Sequence, residues 1–400
     1  MRFLKLVSVE EAEKTLLSLA KLLPTEHISL DNTSGRILAE PVCSPADIPG
    51  FNRSVKDGYA VRSIDTLGAG ELRPNLLQIV GKIAMGENNS GSIGEKEAKY
   101  IPTGGVMPDG ADAVIMQEQV ELAGTTLLVK GAVNPGLDVL KYNEDFSKGE
   151  EVFSAGHIIT AQTAGVLAAF GLDPVLVRKR PRVGIISTGN ELITPANTPD
   201  IGQIRDTNTS LLRAFITENG AKPIFYGIVK DEADALQPVL AKAAAECDLV
   251  ILSGGSSKDE RDVTAGVIKT LGKVHVHGVS VSPGKPTIIG SIHNVPVLGL
   301  PGNPTSTYMI ATLFVTPLLR KMTGANQKLR SIKAHISTSF PSEKGRVDLI
   351  RVKLLPNGDI EPVLGKSGLL NTLVKSDGYI KVPAGLDGYE PGEVVEVYLW

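Results

Sequence analysis

The stretch "DLVILSGGSSKDERDVTAGVIKTLG" (residues 248–272) holds a strand, a glycine-led loop and a helix in succession. Leu249 to Leu252 is an unbroken apolar run, the pattern of a strand buried on both faces. Gly254 and Gly255 follow, then Lys258, Asp259, Glu260, Arg261 and Asp262 without interruption. "VTAGVIKTLG" reads as a helix that Asp262 opens. Strand, glycine loop and helix make the repeating unit of an open α/β sheet, whose ligands sit beyond the carboxyl ends of the strands.

The same alternation extends on both sides. "RVGIIS" (182–187) is a strand, and "TSLLRAFITENG" (209–220) is a helix stopped at Gly220. "AKPIFYGIV" (221–229) is a strand, and Asp231 is placed to cap the helix "EADALQPVLAKAAAEC" (232–247). "VPVLGL" (295–300) is a strand before a helix from Pro304. The spacing predicts an open parallel sheet covered on both faces.

Elsewhere the pattern changes. Ser8 and Glu11 form a capping box that opens an amphipathic helix running toward Pro24. Short strand-like runs broken by glycine fill residues 46–142, a β-rich module inserted into its neighbour. Thr160 caps a small-residue helix that ends at Gly171, and β patterning returns after Leu329 as a small terminal barrel or sandwich. The expected fold is multidomain α/β and β. It divides into an N-terminal domain (1–45 with 143–180), the inserted β-rich domain (46–142), a central three-layer α/β domain (181–328) and a C-terminal β-barrel domain (329–400).

A net charge of −3 over 400 residues offers no bulk attraction for nucleic acid or an anionic membrane, so a charged ligand must be met locally. The 42 glycines and 25 prolines favour short elements joined by tight turns. Cys43 and Cys247 lack any metal spacing and read as reduced, buried thiols. No stretch approaches the roughly 20 apolar residues of a membrane span, and "MRFLKLVSVEEAEK" turns acidic before a signal-like run develops. A cytoplasmic protein is expected.

Four loops fall at the expected ligand edge: "STGNEL" (187–192), "SGGSSKDERD" (253–262), "SPGKPT" (282–287) and "LPGNP" (300–304). Turn chemistry explains each one alone. Together they suggest backbone amides gathered around an anion. Gly284-Lys285 precedes Pro286, so it is no P-loop, and no G-x-G-x-x-G follows a strand. Glu191, Asp231, Asp259, Glu260 and Asp262 supply the oxygen ligands that Mg²⁺ prefers, although Asp231 and Asp262 read equally well as helix caps. His275 and His277 share a strand face but lack a third ligand nearby. In the inserted module, "FNRSVKDGYAVR" (51–62) makes a turn at Asp57-Gly58 beside Arg53, Lys56 and Arg62, and "YIPTGGVMPDGADAV" (100–114) places Thr103 in a glycine-flanked turn.

Taken together, "DGYAVR", "PTGGVMPDGADAV", "STGNEL", "GQIRDTN", "SGG", "PGKP" and "GLPGNPTS" occur in an order that resembles the molybdopterin molybdenumtransferases, the MoeA and gephyrin E-domain family. The resemblance covers essentially the whole chain. It implies a homodimer of four-domain subunits and Mg-dependent insertion of molybdate into adenylylated molybdopterin, with release of AMP. It places Asp57, Thr103, Glu191, Asp231 and Asp262 at catalytic positions, with Glu191, Asp231 and Asp262 on the metal. Substrate binding falls to Gly254, Gly255, Ser256, Lys258, Gly284, Lys285, Pro301, Gly302, Asn303 and Pro304. In the implied dimer, Asp57 and Thr103 of one subunit serve the partner's α/β domain.

The chain departs from the family pattern at informative places. The family carries two lysines four apart before PGKP; here Gly278 and Ser282 stand there, leaving Lys285. Asn52 replaces an Asp, and Val55-Lys56 replace Ala-Met. Two readings stay open. Either Lys56 and Lys258 supply the relocated charge, or the chain is a divergent paralogue that binds molybdopterin or scaffolds partner proteins of the cofactor pathway without efficient insertion.

Overall fold

The computed structural model of the protein describes residues 6–86, 90–254, 263–327 and 329–400. Its contacts separate into two compact units: Met1–Glu40, Ala155–Ala168 and Leu172–Trp400 form one, and Pro41–Ser154 with Ala169–Gly171 form the other.

The larger unit is built on a six-stranded sheet. Its strands are β1 (Arg182–Thr188), β2 (Lys222–Val229), β3 (Leu249–Ser253), β4 (Lys273–His277), β5 (Ile288–Ile292) and β6 (Val295–Leu300), ordered β2-β1-β3-β6-β5-β4. The sheet is mixed, which corrects the all-parallel expectation. β2, β1, β3 and β6 pair in parallel, whereas β5 runs antiparallel to both β6 and β4. His293 and Asn294, both at positive φ, close β5 and β6 into a tight hairpin.

Alternate residues of one strand enter two cores. Leu249 and Ile251 pack with Val9, Ala12 and Leu16 of α1 (Val9–Ser18) and with Leu212 and Phe215 of α2 (Thr207–Glu218). Val250 and Leu252 pack with Leu236 and Leu240 of α3 (Ala233–Glu246) and with Val267 and Ile268 of α4 (Val263–Leu271). Both faces of the sheet are therefore covered. This is why its strands read as continuous apolar runs.

Caps follow the sequence in places and depart elsewhere. Ser8 accepts from the Glu11 N–H at 3.1 Å, but α1 ends at Ser18, well short of Pro24. The Thr163 N–H donates to Thr160 Oγ1 at 3.3 Å, at the start of helix Ala161–Ala169. Asp231 is not the cap of α3. Glu232 holds that position, without a side-chain bond. Cys247 is buried as expected, whereas Cys43 is exposed.

The C-terminal residues form a β module. Strand Val347–Leu354 pairs with Gly378–Val382, which pairs with Val394–Leu399 and through it with Ser331–His335. Ala334, Val352, Ile380 and Val397 fill its core. The short strand Val281–Ser282 joins its edge in parallel to Val347–Asp348, tying the segment after β4 to this module.

The smaller unit carries a sheet ordered Ala113–Met116, Gly58–Val61, Glu97–Ile101, Asn75–Lys82, Thr126–Val129 and Val120–Ala123. Tyr59, Val61, Leu77, Ile115 and Leu127 form its core. Among the described residues, no helix is long and apolar enough to cross a membrane.

Candidate functional site

In the larger unit the chain leaves β1 for β2 on one side and reaches β3 on the other. The carboxyl ends of β1 and β3 therefore flank the switch point of the sheet, where open α/β folds leave a crevice. Gly254 sits there at φ +100°, and a Cβ on it would lie 2.2 Å from the Thr188 carbonyl oxygen. Only glycine fits. Its N–H donates to the Leu300 carbonyl at 3.3 Å, and a Cβ on Gly302 would come within 3.7 Å of its Cα. The loops after β1, β3 and β6 are thus in contact.

Side chains lock this edge. Asp206 caps α2 by accepting from the Thr209 N–H at 3.0 Å and from Thr209 Oγ1 at 2.5 Å. Thr209 Oγ1 also meets Ser187 Oγ of β1 at 2.8 Å. Asn208 Nδ2 donates to Ser253 Oγ and to the Gly302 carbonyl, each at 2.7 Å. Thr188 Oγ1, Asn208 Oδ1 and Thr264 Oγ1 are buried with no hydrogen-bond partner among the described residues. Orphaned polar atoms of this kind cost roughly 1–3 kcal/mol each until water or a ligand satisfies them.

Two of the expected carboxylates, Glu191 and Asp231, border the same edge. The Gly189 N–H donates to the Val229 carbonyl at 3.2 Å, and the Asp231 N–H donates to Asn190 Oδ1 at 3.4 Å, so the loops of Glu191 and Asp231 are joined. Glu191 is exposed and Asp231 half-buried. Among the described residues no three His, Cys, Asp or Glu side chains are grouped as a metal cage. Two carboxylates completed by water and ligand oxygens is the arrangement Mg²⁺ commonly uses, and an all-oxygen donor set suits it. His275 Nε2 meets Ser291 Oγ at 2.8 Å.

Gly284, at φ +121°, packs so closely that a Cβ would lie 2.2 Å from Ile310 Cδ1. Lys285 beside it is exposed and lines a groove of about 200 Å³ with Glu343, Lys344 and Arg346 of the C-terminal module. Pro301 is buried, and Gly302 and Asn303 are exposed ahead of α5 (Pro304–Ile310). Thr307 Oγ1 holds this loop by donating to the carbonyls of Pro301 at 2.5 Å and Asn303 at 3.1 Å. Asn303 Nδ2 donates to Ser367 Oγ at 2.9 Å. Gly255, Ser256, Lys258, Asp259, Glu260, Arg261 and Asp262 lie outside the described residues.

In the smaller unit Asp57 and Thr103 are in contact with each other. The Thr103 N–H donates to Asp57 Oδ1 at 2.7 Å, and both side chains are exposed. Gly58 follows because a Cβ there would lie 2.1 Å from the Ile115 carbonyl oxygen. Ser54 braces the turn. Its N–H donates to the Gly105 carbonyl at 3.0 Å, and its Oγ donates to the Lys56 carbonyl at 2.5 Å. Lys56 itself is exposed.

Asn208 and Ser367 were not singled out from the sequence. The position of "DTN" at a strand-to-helix junction was the available signal for Asn208. Nothing comparable marks Ser367 in "GKSG".

Comparison with known proteins identifies the family of the chain. Residues 7–171 match the MoeA N-terminal region (domain I and II), residues 184–321 a probable molybdopterin binding domain, and residues 333–400 the MoeA C-terminal region (domain IV). The chain is 34% identical over 383 residues to a putative molybdopterin biosynthesis protein of Methanocaldococcus jannaschii, covering 94% of this chain and 92% of that one. It is 31% identical over 408 residues to the molybdopterin molybdenumtransferase of Bacillus subtilis, covering 98% and 94%. A crystal structure of the molybdopterin biosynthesis MoeA protein of Pyrococcus horikoshii superposes with a TM-score of 0.85 at 34% identity, covering 99% of this chain and 100% of that one. With its three regions matched in order along nearly its whole length, the chain belongs to the MoeA family of molybdopterin molybdenumtransferases.

Proposed function

We propose that the protein inserts molybdate into the dithiolene of adenylylated molybdopterin and releases AMP, in a Mg²⁺-dependent reaction of molybdenum cofactor biosynthesis. The observation that carries this reading is the meeting of three glycine loops at the switch point, with Glu191 and Asp231 on adjoining loops beside them. Glycine at 254 and 302 lets ligand oxygens approach main-chain amides closely. On this reading Gly255, Ser256 and Lys258 also count among the substrate-binding residues, with Gly284, Lys285, Pro301, Asn303 and Pro304.

Glu191, Asp231 and Asp262 would hold Mg²⁺, which when bound offsets phosphate charge and polarises the bond to AMP. The protein's own groups then orient the pterin and keep the attacking water placed, while Lys285 offsets oxyanion charge. Asp57 and Thr103 complete the catalytic set. A cytoplasmic homodimer with four domains per subunit belongs to the same reading.

The test is direct. Purified protein supplied with adenylylated molybdopterin, molybdate and Mg²⁺ should release AMP and yield cofactor that activates an apo-molybdoenzyme. Chelation should stop the release and added Mg²⁺ restore it. Absence of AMP release from correctly folded protein would exclude the transferase reading.

A further inference from the structure

Asn208 stands at the start of α2 yet bonds to neither β1 nor its own helix through its side chain. Both N–H groups of its carboxamide leave the helix for two other loops, to Ser253 Oγ and the Gly302 carbonyl, each at 2.7 Å. The Gly302 carbonyl can only accept, so position 208 must present a donor there. Ser253 is the last residue of β3, and Gly302 lies just beyond β6. These two strands are ladder neighbours, and the last pair of their register is Ser253 with Leu300. Past that pair the Gly254 N–H to Leu300 bond is long, at 3.3 Å. Asn208 therefore supplies a further rung from outside the sheet.

The rung is rigidly mounted. Asp206 and Thr209, on either side, tie the helix start to Ser187 of β1, and all are buried. Asn208 is itself only 7% exposed. Its Oδ1 has no partner among the described residues, and the bonds to Ser253 and Gly302 orient the amide.

We infer that Asn208 is a positioning residue: its carboxamide sets the spacing of the Ser253–Gly254 and Pro301–Gly302 loops and thereby the affinity of this edge for a phosphate-bearing pterin. The inference rests on the proposed function, because the ligand class comes from that reading. On this inference Asn208 has a positioning role and no part in the chemistry. It acts through main-chain groups whose placement within a fraction of an ångström decides how well they serve a bound anion.

The experiment compares Asn208→Ala and Asn208→Asp with Thr209→Val in the full chain. Thr209→Val removes equally buried hydrogen bonds at the same helix end without touching either loop. Molybdopterin affinity by titration calorimetry, kcat and KM for AMP release, and urea unfolding are read for each. Both Asn208 variants should bind molybdopterin about 30-fold or more weakly, within the roughly 100-fold that ångström misplacement costs. Asn208→Asp should be the worse of the two, since it faces the Gly302 carbonyl with an acceptor. Thr209→Val should lose stability but keep its affinity within about threefold, a split that a merely structural role does not produce. Wild-type affinity retained in both Asn208 variants, or affinity lost in step with stability across all three, overturns the inference alone. Failure of the wild-type protein to bind molybdopterin overturns the proposed function and this inference together.

Discussion

The Thr103 main-chain N–H donates to the Asp57 carboxylate at 2.7 Å, so an acid and a hydroxyl drawn from sequence-distant turns share one exposed corner. The bond can be kept while the charge is removed. Asp57→Asn retains a carbonyl acceptor for Thr103, and on an exposed turn its stability should stay within about 0.5 kcal/mol of wild type. If the carboxylate takes part in the chemistry, AMP release should fall about 100-fold in Asp57→Asn. Asp57→Ala should fall as far and also loosen the Thr103 turn. Near-normal turnover in Asp57→Asn would reduce the role of Asp57 to holding Thr103.

Gly254 offers a stability test at the switch point. A methyl group there would meet the Thr188 carbonyl at 2.2 Å on a backbone at φ +100°. Gly254→Ala should cost about 1–3 kcal/mol from backbone strain alone, with further loss from the displaced loop. Urea unfolding should show a lower midpoint at unchanged slope. Gly266, on the described part of α4 with open space around its Cβ, should accept Ala with a gain of up to about 1 kcal/mol.

The contrast between these glycines shows what a sequence can display. The strand from Leu249 to Ser253 was legible because both its faces are covered, which leaves no polar alternation to misread. Gly254 was legible because a close approach admits no other residue. The reversed direction of β5 was not, since His293 and Asn294 make its hairpin without a glycine to announce it. Asp231 and Glu232 compete for one cap position, and sequence does not rank two adjacent acids. Asn208 and Ser367 escaped notice for a different reason. Their partners Ser253 and Asn303 are 45 and 64 residues away, and although "DTN" marks a strand-to-helix junction, the local sequence does not name so distant a partner.

His275 predicts an acid sensitivity. Its ring meets Ser291 Oγ of β5 at 2.8 Å, and burial, followed by the charge of Lys273, holds its pKa below the ordinary 6.5. The unfolded chain therefore binds a proton in a range where the folded chain does not. His275 contributes its full stability above about pH 6.5, and that contribution is lost as pH falls through the lower folded value. Thermal unfolding followed from pH 7 to pH 5 should show a steeper loss in wild type than in His275→Gln. Parallel curves would show that His275 does not govern the acid limb.

The missing lysines at 278 and 282 give the sharpest test of charge at the site, because the two positions differ in backbone. Gly278 sits at φ +98°, where a lysine is strained, and Gly278→Lys should cost about 1–3 kcal/mol before any ligand is considered. Ser282 lies in the short strand paired with Val347–Asp348, an extended backbone that accepts any side chain. Ser282→Lys should fold normally. Nearby cations do not already fill the need: Arg346 is held by Asp348 at 3.0 Å and Glu343 at 2.9 Å, and Lys344 by Asp387 at 2.9 Å. Among the described residues lining that groove, Lys285 is the cation without an ion pair. A second lysine within reach of the same oxyanion adds about 1 kcal/mol in a water-exposed setting, or about fivefold in affinity. Calorimetry with molybdopterin and with molybdate should therefore show tighter binding by Ser282→Lys at low salt. The gain should shrink as ionic strength rises and the Debye length falls below about 10 Å. Unchanged affinity at low salt would mean that charge at this edge is not limiting, which would move the search for the compensating cation to Lys56 or Lys258.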